Sequence, residues 1–123
     1  MLFTTRTPEV AAAFVHPLDP TPRTAILVPG FASTRTVRVF PHGWDNAARK
    51  FAPAAVAGTF DQLLALANKG TQFTHAMISL AWHRDDLLTP RQSDLLWDAF
   101  GVPIFEQFLG PGNVLLAFSV DGK

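Results

Sequence analysis

The spacing of apolar and polar positions changes character several times along this chain, and each change marks an element. Thr24-Ala25-Ile26-Leu27-Val28 is an unbroken apolar run closed by Pro29-Gly30, the pattern of a buried strand. Arg35-Thr36-Val37-Arg38-Val39-Phe40 alternates instead, which predicts a strand with one wetted face. A hairpin with Gly30 and Ser33 in its loop would join the two. Pro41 to Asp45 reads as a turn, Asn46 to Phe51 as a helical turn and Ala54 to Gly58 as a short strand. Phe73 to Trp82, centred on Ala76-Met77-Ile78-Ser79-Leu80, is the longest strand candidate, followed by Val102 to Phe108 and Val114 to Phe118.

Three helices carry start signals. Thr7-Pro8-Glu9 suits an N-cap, a first-turn proline and a favourable acidic group ahead of a body from Val10 to Val15. Thr59 with Gln62, and Thr89 with Gln92 behind Pro90, are two capping boxes, stopped by Gly70 and Gly101 respectively. Between Val15 and Arg23 the repeated prolines at 17, 20 and 22 forbid regular structure. In the second half helices return directly to strands, which requires crossover connections. The last strand pair, joined through Gly110-Pro111-Gly112-Asn113, is a hairpin. The expectation is a single α/β domain over residues 1–123, a mixed β-sheet with three or so helices packed against it.

Composition narrows the function classes. Ten basic and ten acidic residues cancel, and no basic run exists to follow a phosphate backbone, so no nucleic-acid partner is expected. No apolar run is long enough to span a bilayer, and the first residues lack a signal-peptide layout, so no membrane partner and a cytoplasmic location are expected. The absence of cysteine removes disulfide, thiolate-metal and thiol chemistry. Eleven Phe and three Trp accompany no Tyr, and charged residues make up only 16%. Such a chain keeps apolar surface to spare, so a homo-oligomer or a protein partner is expected.

Candidate chemistry is sparse. His42 and Asp45, on a turn beside Gly43 and Trp44, are the weak catalytic candidates, as a general base and its orienting carboxylate; the structural alternative has Asp45 capping the next helix. His75 and His83 would lie about 26 Å apart on one continuous strand, too far to share an ion, so no metal site is expected. Val28-Pro29-Gly30-Phe31-Ala32-Ser33 is similar to an oxyanion loop, but no Gly-x-Ser-x-Gly turn accompanies it. Neither glycine-rich phosphate loop occurs, and no cofactor is expected.

The run LLTPRQSDLLWDAFGVPIFEQF, about residues 87–108, resembles a helix–strand segment of the phenylacetate–CoA ligase and acyl-protein synthetase group of adenylate-forming enzymes. In that family the strand leads into an aromatic-Gly-x-Thr-Glu loop that contacts nucleotide and magnesium. Phe108 stands where the aromatic would fall, but Leu109-Gly110-Pro111-Gly112 follows in place of the rest, and Arg84-Asp85-Asp86 replaces the family's Gly-Gly-Glu. The family's phosphate loop and C-terminal lid are also absent. The resemblance therefore implies a non-catalytic scaffold unit acting as an accessory or interaction module. A reading from another class makes the domain the acyl- or aryl-binding component of a split acyl-activating or acyl-transfer enzyme. Its ligand wall would be Trp82, Trp97, Phe105 and Phe108, with Glu106 as the polar contact.

Overall fold

A computed structural model describes residues 11–121. Six strands form one sheet: β1 (Thr24–Ile26), β2 (Val37–Val39), β3 (Ala55–Gly58), β4 (Ala76–Ala81), β5 (Ile104–Leu109) and β6 (Leu115–Asp121), in the spatial order β2-β1-β3-β4-β5-β6. The first five are parallel and β6 is antiparallel to β5. Three helices complete the domain: α1 (Asn46–Phe51), α2 (Phe60–Asn68) and α3 (Pro90–Phe100). The mixed sheet with helices against it is the architecture expected from the pattern.

The connections explain the layering. The steps from β2 to β3, β4 and β5 all move across the sheet in one direction, and each contains a helix. Right-handed crossovers then place all three helices on one face. That face buries Ala25, Leu27, Val56, Met77 and Ile104 with Leu63 and Leu66 of α2 and Leu96 and Phe100 of α3. The step from β1 to β2 moves the other way, so its connection belongs on the opposite face. Phe31, from that connection, is buried there with Ile26, Ile78, Leu80 and Phe105. Strands β1, β3 and β4 are buried at every position, which is why they read as unbroken apolar runs.

Both capping boxes form. Thr59 accepts from the Gln62 N–H while Gln62 accepts from the Thr59 N–H, and Thr89 and Gln92 repeat the arrangement. Gly101 takes the left-handed conformation (φ 64°) that ends α3 before Pro103.

Two expectations are corrected. The β1–β2 connection is no hairpin: the strands are parallel, and residues 27–36 cross over between them. Burial of Phe31 draws this connection across the sheet, and Ser33 Oγ closes it by accepting from Val39 N at 3.0 Å. The first helix is also absent where it can be seen. Thr7, Pro8, Glu9 and Val10 lie outside the described residues, but residues 11–15 are extended rather than helical. Ala12 donates to Gly30 O and accepts from Ala32 N, and Ala12, Phe14 and His16 turn inward at every second position. Pairing with the 29–32 backbone and burial of Phe14 outweigh alanine's helix preference.

Candidate functional site

The two edges of the sheet are built differently. β2 is three residues long and carries Arg38 at its exposed position. A short, charged edge resists pairing with other chains. β6 is seven residues long, and from Leu115 to Val120 it has no charged side chain. Register with β5 pairs Phe105 with Val120 and Gln107 with Phe118, so Phe118 and Val120 lie on the face opposite the helices. Phe118 is 70% exposed and Val120 59%. A register shift after Phe108 leaves Leu116 without a partner on β5, and Leu116 leans instead over Gly110.

The hairpin that carries β6 is anchored to the body of the domain. Asn113, in the left-handed region (φ 62°), accepts from Trp82 Nε1 at 2.8 Å and donates to Pro29 O at 3.3 Å. Gly30 (φ 95°) passes so close to the Asn113 amide that a Cβ there would collide with it. One side chain thus ties the ends of β1 and β4 to the β5–β6 turn.

A second, smaller feature adjoins β6. A cavity of about 240 Å³ lies between the extended strap around Val15-His16-Pro17 and the β5–β6 ladder, walled by Phe105, Leu115, Phe118 and Val120. Gln107 belongs to the same wall and is 3% exposed. Its Nε2 donates to Val15 O at 2.7 Å, which holds the strap down. Beside it His16 Nδ1 accepts from Leu18 N at 3.0 Å, leaving Nε2 to donate to Thr24 Oγ1 at 2.8 Å, and that hydroxyl donates in turn to Pro22 O at 2.8 Å. The chain of bonds requires a neutral ring, and burial pushes the His16 pKa below 6.5.

Folding therefore discourages protonation of His16, and the native state holds fewer protons than the unfolded chain between the lowered pKa and 6.5. Stability contributed by this residue is complete above the unfolded value and declines as pH falls through that window. Denaturation midpoints measured from about pH 8 to about pH 5 are expected to fall at the acid end, with the slope reduced in His16→Gln. An undiminished slope in that variant would remove His16 as its source.

The ligand wall read from the sequence is divided by the structure. Period-two alternation puts Phe105 on the strap face and Glu106 and Phe108 on the helix face. Trp82 packs on the strap face, whereas Trp97 packs on the helix-side core. Glu106 and Phe108 do meet, with Arg84, Leu87 and Ser119, around an open groove of about 450 Å³. There Glu106 Oε2 accepts from Leu88 N at 2.5 Å and so fixes the approach to α3. Asp45 Oδ1 accepts from Ala48 N at 2.8 Å as the cap of α1, while His42 is exposed on the preceding turn. His75 and His83 flank opposite ends of β4, and among the described residues no group of acidic or histidine side chains is placed to hold a metal ion.

Parallel α/β sheets commonly bind ligands where the strand order reverses, here between the ends of β1 and β3. That crevice is filled from within. Gln62 Nε2 donates to Leu27 O at 2.9 Å, and the same side chain packs over Gly58. The residues that shape the β5–β6 margin, Gln107, Asn113, Phe118 and Val120, are ones the sequence reading passed over. Gln107 carried a usable signal, since a polar residue two positions from both Phe105 and Leu109 must share their buried face. No protein-family model matches this chain, and no curated protein or solved structure matches it either.

Proposed function

We propose that this chain is a non-catalytic interaction module that pairs with a second copy of itself along β6. The observation that carries the reading is the long apolar edge that β6 presents, uncharged from Leu115 to Val120, beside the short and charged edge at β2. An exposed edge of this kind offers a row of unsatisfied N–H and C=O groups to another strand.

Identical strands meet best antiparallel about a twofold axis, which repeats the pairing already made between β5 and β6. The zero net charge removes long-range repulsion between copies. The likeness of residues 87–108 to an adenylate-forming ligase segment supports the scaffold part of the reading, because α3 and β5 form as one helix–strand unit without a phosphate-binding loop. Sedimentation equilibrium of the full chain is expected to give a pair at micromolar concentration. A monomer at high micromolar concentration would contradict the proposal.

A further inference from the structure

We propose that the margin of the domain formed by β1, β2 and α1 docks an acidic, extended segment of a partner protein. The inference does not rest on β6 pairing, because β2 and β6 are opposite margins of the sheet and both can be occupied at once. It begins with an uneven distribution of charge in a chain whose total is zero. Between residues 11 and 58, Arg23, Arg35, Arg38, Arg49 and Lys50 outnumber Asp19 and Asp45, whereas carboxylates predominate beyond residue 58.

The fold gathers four of those cations. Arg23 lies over the Phe51 ring at 4.1 Å, and Arg38 lies 5.5 Å from the same ring and 5.7 Å from that of Phe40. Nε and Nη2 of Arg23 also donate to Phe51 O. Arg49 and Lys50 occupy the exposed positions immediately before Phe51, in the last turn of α1. Among the described residues no carboxylate pairs with any of the four, and Asp45, one turn ahead of Arg49, caps α1 instead. An exposed cation without a partner is ordinary. What distinguishes this cluster is that two guanidiniums are held against rings before anything binds, so little side-chain freedom is lost when a carboxylate arrives.

The surroundings select the occupant. The outer backbone of β2 is closed by its own loop: Val37 N donates to Thr34 Oγ1 at 3.1 Å, Val39 N donates to Ser33 Oγ at 3.0 Å, and Val37 O accepts from Thr34 N at 2.7 Å. A partner therefore cannot join as a further strand and must be held by side chains. Phe40 and Phe51 are only 5% and 6% exposed, so neither offers an open face on which a nucleic-acid base could stack. Arginine clusters of this kind recognise acidic segments. Arg38 can take a carboxylate through paired donors, and Arg23 through Nη1, which its bonds to Phe51 O do not use.

The test titrates the ¹⁵N-labelled full chain with a short Glu/Ser/Gly peptide at low ionic strength. A Gln/Ser/Gly peptide and single-stranded oligothymidylate serve as comparisons. The Glu peptide is expected to shift the Nε–H resonances of Arg23 and Arg38 and the amides of Arg49 and Lys50. Salt at about 0.5 M should remove those shifts, since a Debye length of about 4 Å screens exposed pairs. The Gln peptide should produce none. In the variant carrying Arg38→Glu and Lys50→Glu, binding should weaken roughly tenfold or more, because each reversal turns an attraction into a repulsion. Arg23 is left in place because its bonds to Phe51 O help to hold α1. Equal binding of the two peptides, shifts confined to other residues, or tighter binding of oligothymidylate would overturn the proposal. So would a charge-reversed variant that binds unchanged, or one that no longer pairs, since the occupant would then be a second copy. Should that variant fail to fold, the salt series and the Gln peptide on the wild-type chain decide alone.

Discussion

Replacing Phe118 and Val120 together by lysine is expected to weaken self-association by roughly an order of magnitude while leaving the fold intact. Both side chains are more than half exposed in the single chain, so the monomer loses little by the change. In a twofold pair each substitution occurs twice, which places four ammonium groups along one strand junction. Four groups make two facing pairs, and like charges facing each other across strands cost roughly 0.5–1 kcal/mol a pair, or about 1–2 kcal/mol in total. At about 1.4 kcal/mol per decade, the pairing constant should fall by roughly five- to thirtyfold. Sedimentation would show it as a shift toward monomer, with a denaturation midpoint matching that of the wild-type chain diluted below its pairing concentration. A variant that stays paired would move the interface elsewhere, and one that unfolds would mean that Phe118 and Val120 belong to the core of the single chain.

The second large effect concerns α3. Leu96 is fully buried, in the cluster formed by Met77, Ile104, Leu63 and Phe100. Truncating it to alanine removes buried apolar surface and leaves a cavity, at a cost of about 2–5 kcal/mol. Total stability of a domain this size is about 5–15 kcal/mol, so Leu96→Ala should bring it near the threshold of unfolding. Thr89→Ala, on the same helix, removes only the cap and should cost about 1 kcal/mol. Urea denaturation of the two variants separates packing from capping. Equal costs would mean that α3 is held by its ends rather than by its buried face.

How far the sequence announced this structure depends on where the determining contacts lie. The helices starting at Thr59 and Thr89 were legible because their signals are local: a threonine, a glutamine three residues on and a terminal glycine all act within one turn. The buried strands were legible because two covered faces leave only apolar residues. The parallel relation of β1 and β2 was not legible, since Pro29-Gly30 marks a turn without saying how far the chain then travels. Phe31 decides that, by packing on a face no local pattern identifies. Residues 11–15 failed for a similar reason, because Ala-Ala-Ala suits a helix until the 29–32 backbone offers it a partner.

The site was less legible than the fold. Trp82, Phe105, Glu106 and Phe108 were grouped by proximity in the chain and by chemical type, but alternation along β5 sends Phe105 and Phe108 to opposite faces. Trp82 is engaged by Asn113, a residue that sequence treats as an ordinary turn former. The exposed apolar character of β6 follows from its place at the sheet edge, and strand order is a tertiary fact. Nothing in Leu115-Leu116-Ala117-Phe118-Ser119-Val120 distinguishes an edge from a centre.

The central claim is that β6 meets β6. Isotope-filtered NOE spectroscopy on an equal mixture of ¹³C-labelled and unlabelled chain reads that contact without any substitution. Cross-peaks between the Phe118 ring of one copy and the Leu116 or Val120 methyl groups of the other are the predicted result. Cross-copy peaks arising instead from α2 or α3, or none at concentrations where the chain sediments as a pair, would contradict it.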